Sequence, residues 1–194
     1  MRKVAAGIAC LLMVAACGGG SSGGGSTSST PQRGGTATIA LESELRTLDP
    51  LDSSQLVERE VFYNMYDSLF TIDPSLKIQA GLVKSWDTTD PLNYKFTLQS
   101  GVKYQDGTPF NGKSVADNIT RYKTAATSRR KSDLASVQSV EVVDDTHVIF
   151  HLKKPDATLL ATLVDRAGMM VDGRRHEGRG QLLTRSDRRR QWAV

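Results

Sequence analysis

From residue 36 onward the hydrophobic positions switch between two periods, and the switches mark the elements. Thr36-Ala37-Thr38-Ile39-Ala40-Leu41 is a β-branched, roughly alternating run after Gly34-Gly35, and it predicts a strand. From Asp52 the period lengthens. Leu56, Val57, Val61, Phe62, Met65, Tyr66 and Leu69 recur at helical spacing, while Glu58, Arg59, Asn64 and Asp67 fill the other face. That pattern predicts an amphipathic helix with Asp52, Ser53 or Ser54 as its N-cap. A short extended piece ends at Asp73-Pro74, and Val83 to Thr88 around Trp86 predicts another strand. After the turn signal Asp90-Pro91-Leu92-Asn93, residues 94–99 alternate strictly, so Tyr94, Phe96 and Leu98 share one face. Gly101 and Asp106-Gly107 mark two further turns.

The second half continues the mixture. Ser114-Val115-Ala116-Asp117 has the spacing of a capping box and opens a helix carrying Val115, Ile119 and Tyr122. Val137 to Val143, a turn at Asp144-Asp145, and His147 to Leu152 predict a β-hairpin closed by Pro155, and Ala157 to Asp165 starts a last helix. Strands and helices alternate without a repeat of fixed period, which argues against solenoids and propellers.

Ahead of this body the chain carries an address. Arg2 and Lys3 precede an apolar stretch from Val4 to Ala16, too short for a stable membrane span, in the layout of a secretory signal peptide. Val14-Ala15-Ala16-Cys17 resembles the bacterial lipobox. Small side chains let the extended backbone enter the peptidase, and only a thiol can take the thioether lipid. The expectation is a signal peptide over 1–16, with Cys17 acylated and left as the first residue. Multiple acyl chains would give stable anchoring at the extracytoplasmic face of the cell membrane. Residues 17–33 are then a Gly/Ser-rich spacer. Cys10 and Cys17 are the only cysteines, so the body has no disulfide, no Cys nucleophile and no thiolate metal site.

Charge changes the picture mainly at the ends. The formal net charge is +4, yet residues 4–171 hold 16 basic against 18 acidic residues. The excess sits in Arg2 and Lys3 and in residues 172–194, which hold seven Arg and no Lys. Arg and Gly enrichment without Lys is what an out-of-frame reading of a G+C-rich gene yields, so the expectation is frame loss near Val171 or Asp172. The rival reading is a tail for nucleic acid or anionic lipid, since Arg clusters bind phosphate. An exported, anchored chain rarely meets nucleic acid, and none is expected as a partner.

Candidate chemistry is sparse. His147 and His151 stand four apart, but on a strand four residues span roughly 13 Å, so they share a face without sharing a metal. No Gly-x-Ser-x-Gly elbow, Walker loop or dinucleotide fingerprint exists, and the carboxylates show no acid/base spacing. No catalytic residue, metal site or cofactor is expected. Asn118-Ile119-Thr120 matches a glycosylation triplet but lies on a predicted helix, and Arg129-Arg130-Lys131 reads as a solvated loop.

The order of these motifs resembles the family 5 extracellular solute-binding proteins, the dipeptide-, oligopeptide- and nickel-binding receptors of ABC importers. The likeness rests on Gly34-Gly35-Thr36 at a strand, Leu48-Asp49-Pro50, Tyr66-Asp67-Ser68-Leu69, and Gly81-Leu82-Val83-Lys84-Ser85-Trp86. It continues through Tyr94-Lys95-Phe96-Thr97-Leu98, then residues 101–110 with Asp106-Gly107-Thr108-Pro109, Ser114-Val115-Ala116, residues 142–150, and Lys154-Pro155. Pro91-Leu92-Asn93 and Asn111-Gly112-Lys113 depart from the pattern, both at solvent-facing turns.

The resemblance implies an α/β fold, periplasmic-binding-protein-like (type II), of which residues 34–171 would supply only an incomplete first lobe. It implies a lipid-anchored receptor that captures oligopeptides or small solutes between two lobes and hands them to ABC permease subunits. The alternative is a surface lipoprotein remnant that binds nothing. By the same resemblance the loop around Leu51 to Gln55 faces the solute cleft. Ser53, Ser54 and Gln55 could then bond peptide backbone, although Ser53 or Ser54 as a plain N-cap is the simpler reading. Trp86, Tyr94, Phe96 and Phe110 are expected in the core.

Overall fold

A computed structural model describes Thr36 and residues 38–172. The chain separates into Met1–Ile39 and Ala40–Val194, and the fold described here is that of the second unit. The signal peptide, Cys17, the spacer and residues 173–194 of the Arg-rich end lie outside the described residues.

The elements run α1 (Leu56–Phe62), β1 (Phe70–Ile72), β2 (Ile78–Ala80), β3 (Val83–Asp87), β4 (Asn93–Leu98), α2 (Gly112–Thr124), β5 (Val137–Val142), β6 (His147–Leu152) and α3 (Leu159–Thr162). β1 and β2 form a small antiparallel hairpin, and the other four strands form one sheet in the order β3-β4-β6-β5. Every neighbouring pair is antiparallel, with Tyr94 opposite Phe150 and Phe96 opposite Val148 in the centre. Alternation therefore sends Tyr94, Phe96, Leu98, Val148, Phe150 and Leu152 to one buried face. Phe96 touches Phe150 at 4.9 Å and Phe70 at 5.2 Å between ring centres. Each such side chain contributes roughly 1.5–3 kcal/mol by leaving water. Val115, Ile119 and Tyr122 of α2 are buried in the same core, as their spacing predicted.

β5 is an edge strand, and α2 caps part of it. The Lys123 ammonium donates to the carbonyls of Val137 at 2.5 Å and Gln138 at 2.7 Å, which blunts an edge that could otherwise pair with another chain. The segment Ala167–Val171 closes the core from the other side. Leu69 N–H donates to Gly168 O at 2.9 Å, Met170 N–H to Asp67 O at 3.0 Å, and the Tyr122 hydroxyl to Met169 O at 2.7 Å. The Asn118 amide clamps Val171 both ways, donating to its carbonyl at 2.8 Å and accepting from its N–H at 3.0 Å.

Several expectations are corrected. Residues 38–41 form no strand, since among the described residues no neighbour supplies them with a ladder. α1 stops at Phe62 rather than running to Leu69. Tight turns follow (Met65 N–H to Phe62 O, 2.9 Å), and Ser68 and Leu69 are drawn into pairing with Gly168 and Met169. Pairing with a segment a hundred residues away overrides local periodicity. β2 has no counterpart in the sequence reading, and α3 is a single turn inside the helix expected from Ala157. α2 starts at Gly112 with Asn111 as N-cap, three residues ahead of the expected Ser114, which instead sits at the third helical position and completes the box. Tyr94, Phe96 and Phe110 are core, but Trp86 is 37% exposed and only leans edge-on against Phe70.

Candidate functional site

The loop from Arg46 to Gln55 is built around one carboxylate, that of Glu58. Its Oε2 accepts the Ser53 hydroxyl at 2.9 Å and the N–H groups of Ser54 and Gln55 at 3.1 Å each, and its Oε1 accepts the N–H groups of Arg46 and Thr47 at 3.2 Å. Gln55, not Asp52, Ser53 or Ser54, is therefore the N-cap of α1, with Glu58 at the third helical position closing the box. Glu58 is fully buried. Burial by itself would raise its pKa. The N–H of Gln55, the Ser53 hydroxyl, the N–H of Ser54 and the Arg46 charge outweigh that and hold it below the ordinary 4.5.

Arginines fence the outside of the same loop. Arg46 donates to Asp52 O at 3.0 Å and Ser54 Oγ at 3.3 Å, Arg130 to Ser53 O at 2.9 Å, and Arg166 to Ser53 Oγ at 3.1 Å and Gln55 O at 3.4 Å. Arg130 also pairs with Asp133 at 2.8 Å, Arg129 with Asp52 at 3.2 Å, and Arg121 with Asp49. Arg130 is buried, which corrects the reading of Arg129-Arg130-Lys131 as a uniformly solvated loop. Its guanidinium is needed where the carbonyl of Ser53 would otherwise be buried without a donor.

This geometry separates the three candidate ligand residues. Ser53 is fully buried, and its hydroxyl both donates to Glu58 and accepts from Arg166, so it holds the loop's shape. Ser54 and Gln55 are exposed beside it on the same rigid turn. Sequence reasoning missed Glu58, which the helical wheel placed on the polar face, together with Arg130 and Arg166. The Gln55-x-x-Glu58 spacing was the available signal for the first of these. No local pattern marks the arginines, which arrive from 75 to 111 residues downstream of Gln55.

Elsewhere, His147 and His151 lie on β6, two rungs apart on the outer face of the sheet. His147 pairs with Asp144 at 2.9 Å. The N–H of Thr146 and then His147 hold the Asp144 carboxyl down to about 2. His151 lies between Asn93 Oδ1 at 2.6 Å and Glu141 Oε2 at 2.9 Å. Asn118 spends its amide inside the protein, which removes the glycosylation triplet as a site. An open cleft of about 530 Å³ lies beside the N-terminal half of α2, with Tyr104, Ser114, Asp117 and Asp172 in its wall. Burial pushes the Tyr104 phenol up to about 12.

The fold is that of the periplasmic binding proteins. The chain matches the unliganded open form of the periplasmic murein tripeptide binding protein MppA with a TM-score of 0.67 at 21% identity, over 73% of this chain and 31% of that one. It matches NikZ from Campylobacter jejuni, solved with Ni(L-His), at 0.62 and 26% identity, over 71% and 27%. Haemophilus influenzae OppA, solved with the peptide RPPGFSPFR, matches at 0.64 and 22%, over 70% and 30%. The family model described as bacterial extracellular solute-binding proteins, family 5 Middle, covers residues 77–186, running past Asp172 into the Arg-rich end. The chain belongs to this family. The glutathione-binding protein GsiB of Shigella boydii is 31% identical over 135 residues, 69% of this chain and 26% of that protein, and its Escherichia coli counterpart is 30% identical over the same span. The chain thus spans about a quarter of the length of the curated relatives it matches.

Proposed function

We propose that this chain is part of a substrate-binding lipoprotein of an ABC importer, which captures peptides or similar amino-acid-derived solutes outside the membrane and delivers them to the permease subunits without covalent chemistry. The observation that carries the reading is the 135-residue match to the glutathione-binding proteins, 69% of this chain. The neighbours named for a murein tripeptide, a nickel–histidine complex and a nonapeptide favour the same solute class. Cys17 is the lipid attachment point that holds the protein at the extracytoplasmic face.

Within the described body, the Arg46–Gln55 loop is the solute-facing element. Glu58, Arg130 and Arg166 fix its backbone in advance, which lowers the ordering cost of binding. Ser54 and Gln55 present the side chains that meet peptide backbone, while Ser53 holds them in place. Because the chain spans a quarter of its relatives, most of the solute shell belongs to the remaining length.

Titration of the 15N-labelled chain with glutathione tests this. Amide shifts centred on Ser54 and Gln55 with weak, millimolar saturation are expected, and they should fade in Gln55→Ala. Unmoved Ser54 and Gln55 amides would remove the loop from the solute site, and micromolar saturation would overturn the division of the shell. Labelling of the chain by palmitate in a bacterial host, lost in Cys17→Ala, tests the anchor.

A further inference from the structure

The chain has four asparagines, and only Asn111 is followed by glycine. Asn–Gly is the dipeptide in which a side-chain amide is most easily lost. With no Cβ on the second residue in the way, the following backbone nitrogen can close on the amide carbon. Met65, Tyr94 and Ile119 follow the other three asparagines, and their side chains hinder the same closure.

Packing explains why both residues of this labile pair stand where they do. A Cβ on residue 112 would collide with Asp144 O, so glycine is what lets α2 rest on the β5–β6 turn. The residue ahead of it then has to cap the helix. Asn111 does so: its Oδ1 accepts the Ser114 N–H at 3.1 Å, and its own N–H donates to Ser114 Oγ at 3.3 Å.

The β5–β6 turn also holds both reacting groups. The Gly112 N–H, which must give up its proton before the nitrogen can attack, donates to Asp145 O at 2.8 Å. Asn111 Nδ2, which would leave, donates to Asp145 Oδ1 at 3.3 Å. Nucleophile and leaving group are thus bonded to the backbone and side chain of one residue across the junction.

We propose that Asn111–Gly112 is a deamidation site guarded by the β5–β6 turn, inert while α2 rests on Asp145 and reactive when the first turn of α2 lifts away. In the reaction Gly112 N bonds to Asn111 Cγ, the Cγ–Nδ2 bond breaks, and ammonia leaves with the proton from the Gly112 N–H. Water then opens the five-membered imide to aspartate or isoaspartate. Either product keeps the junction open. Aspartate turns an acceptor toward the Asp145 carboxylate where Nδ2 had donated, and isoaspartate adds a methylene to the main chain at the cap. A local opening is thereby recorded irreversibly in the covalent structure.

The 194-residue chain, folded or in guanidinium chloride, is held in mildly alkaline buffer and the tryptic peptide 104–113 is followed by mass spectrometry. The mass gain of amide-to-acid conversion should appear in the unfolded chain. Folding should slow it by about tenfold or more, the same factor by which native-state exchange protects the Gly112 N–H. Asn111→Ser, which keeps a capping hydroxyl, should abolish the gain; a gain that persists would overturn the assignment to Asn111. Equal rates in the folded and unfolded chains would overturn the guard, as would slow deamidation beside an unprotected Gly112 amide. In Asn111→Asp the Gly112 N–H should exchange faster than in wild type, and exchange no faster would overturn the self-sustained opening.

Discussion

Glu58 receives five hydrogen bonds in a buried site, so its charge is worth more than its position on a short helix suggests. In Glu58→Gln the neutral amide replaces a charged acceptor and turns a donor toward N–H groups. A loss of about 2–3 kcal/mol at neutral pH is expected by urea denaturation. The sign of the pH dependence follows from the lowered pKa. The carboxylate's contribution is complete above its unfolded-state value of about 4.5 and is lost as pH falls through the lower folded value. The gap between wild type and variant should therefore be constant from neutrality down to about pH 5 and close below it. A gap that widens on acidification would contradict the buried, ionised assignment. Leu76, exposed at the β1–β2 turn with φ +61°, gives the opposite case. Leu76→Asn relieves the left-handed strain without glycine's entropy cost, and a gain of about 0.5–1 kcal/mol, or a few degrees in Tm, is expected by thermal unfolding.

At the scale of elements, the sequence was most legible where one face of a strand or helix carries its whole meaning. β4, β6 and α2 were readable because alternation and 3.6-residue spacing directly encode which side is buried. The end of α1 and the late pairing of Ser68 with Met169 were not readable, because each depends on a partner distant in the chain. The start of α2 is instead set by the local Asn111–Ser114 box, whose first member lies three residues ahead of the Ser114 expected there. Dependence on distant partners returns at the candidate site. Ser53, Ser54 and Gln55 are consecutive just ahead of α1, and that Ser53 is consumed by Glu58 and Arg166 is written in tertiary structure alone. Gly112 shows how tightly such a junction is set. A Cβ there would lie 2.5 Å from Asp144 O and 3.1 Å from Val142 and Val148, so the first turn of α2 rests directly on the β5–β6 turn. Gly112→Ala should cost about 2 kcal/mol and broaden the amide signals of Asp144 and Asp145 in NMR spectra. An unchanged melt would mean that the two elements can slide apart freely.

For the whole molecule, the question is whether the described body is a folding unit or only a slice that needs the rest of a receptor. Its core argues for a unit. The hydrophobic cluster runs without a break from Leu51 to Met170, and the last piece to arrive, Ala167–Val171, is almost wholly buried and bonded to both Asp67–Leu69 and α2. That segment contributes two methionines and a valine to the interior and satisfies the Asn118 amide, so its removal opens a cavity and orphans a buried polar group together. A chain ended after Asp172 should therefore melt cooperatively within about 2 °C of the 194-residue chain, whereas one ended after Arg166 should lose several kcal/mol and much of its cooperativity. Circular dichroism melts of the two shortened chains decide this. If both melt alike, the core closes before Ala167 and the Asn118 clamp is incidental. If both fail to fold, residues beyond Asp172 are part of the structural unit, and the boundary drawn from charge at position 172 has no physical meaning.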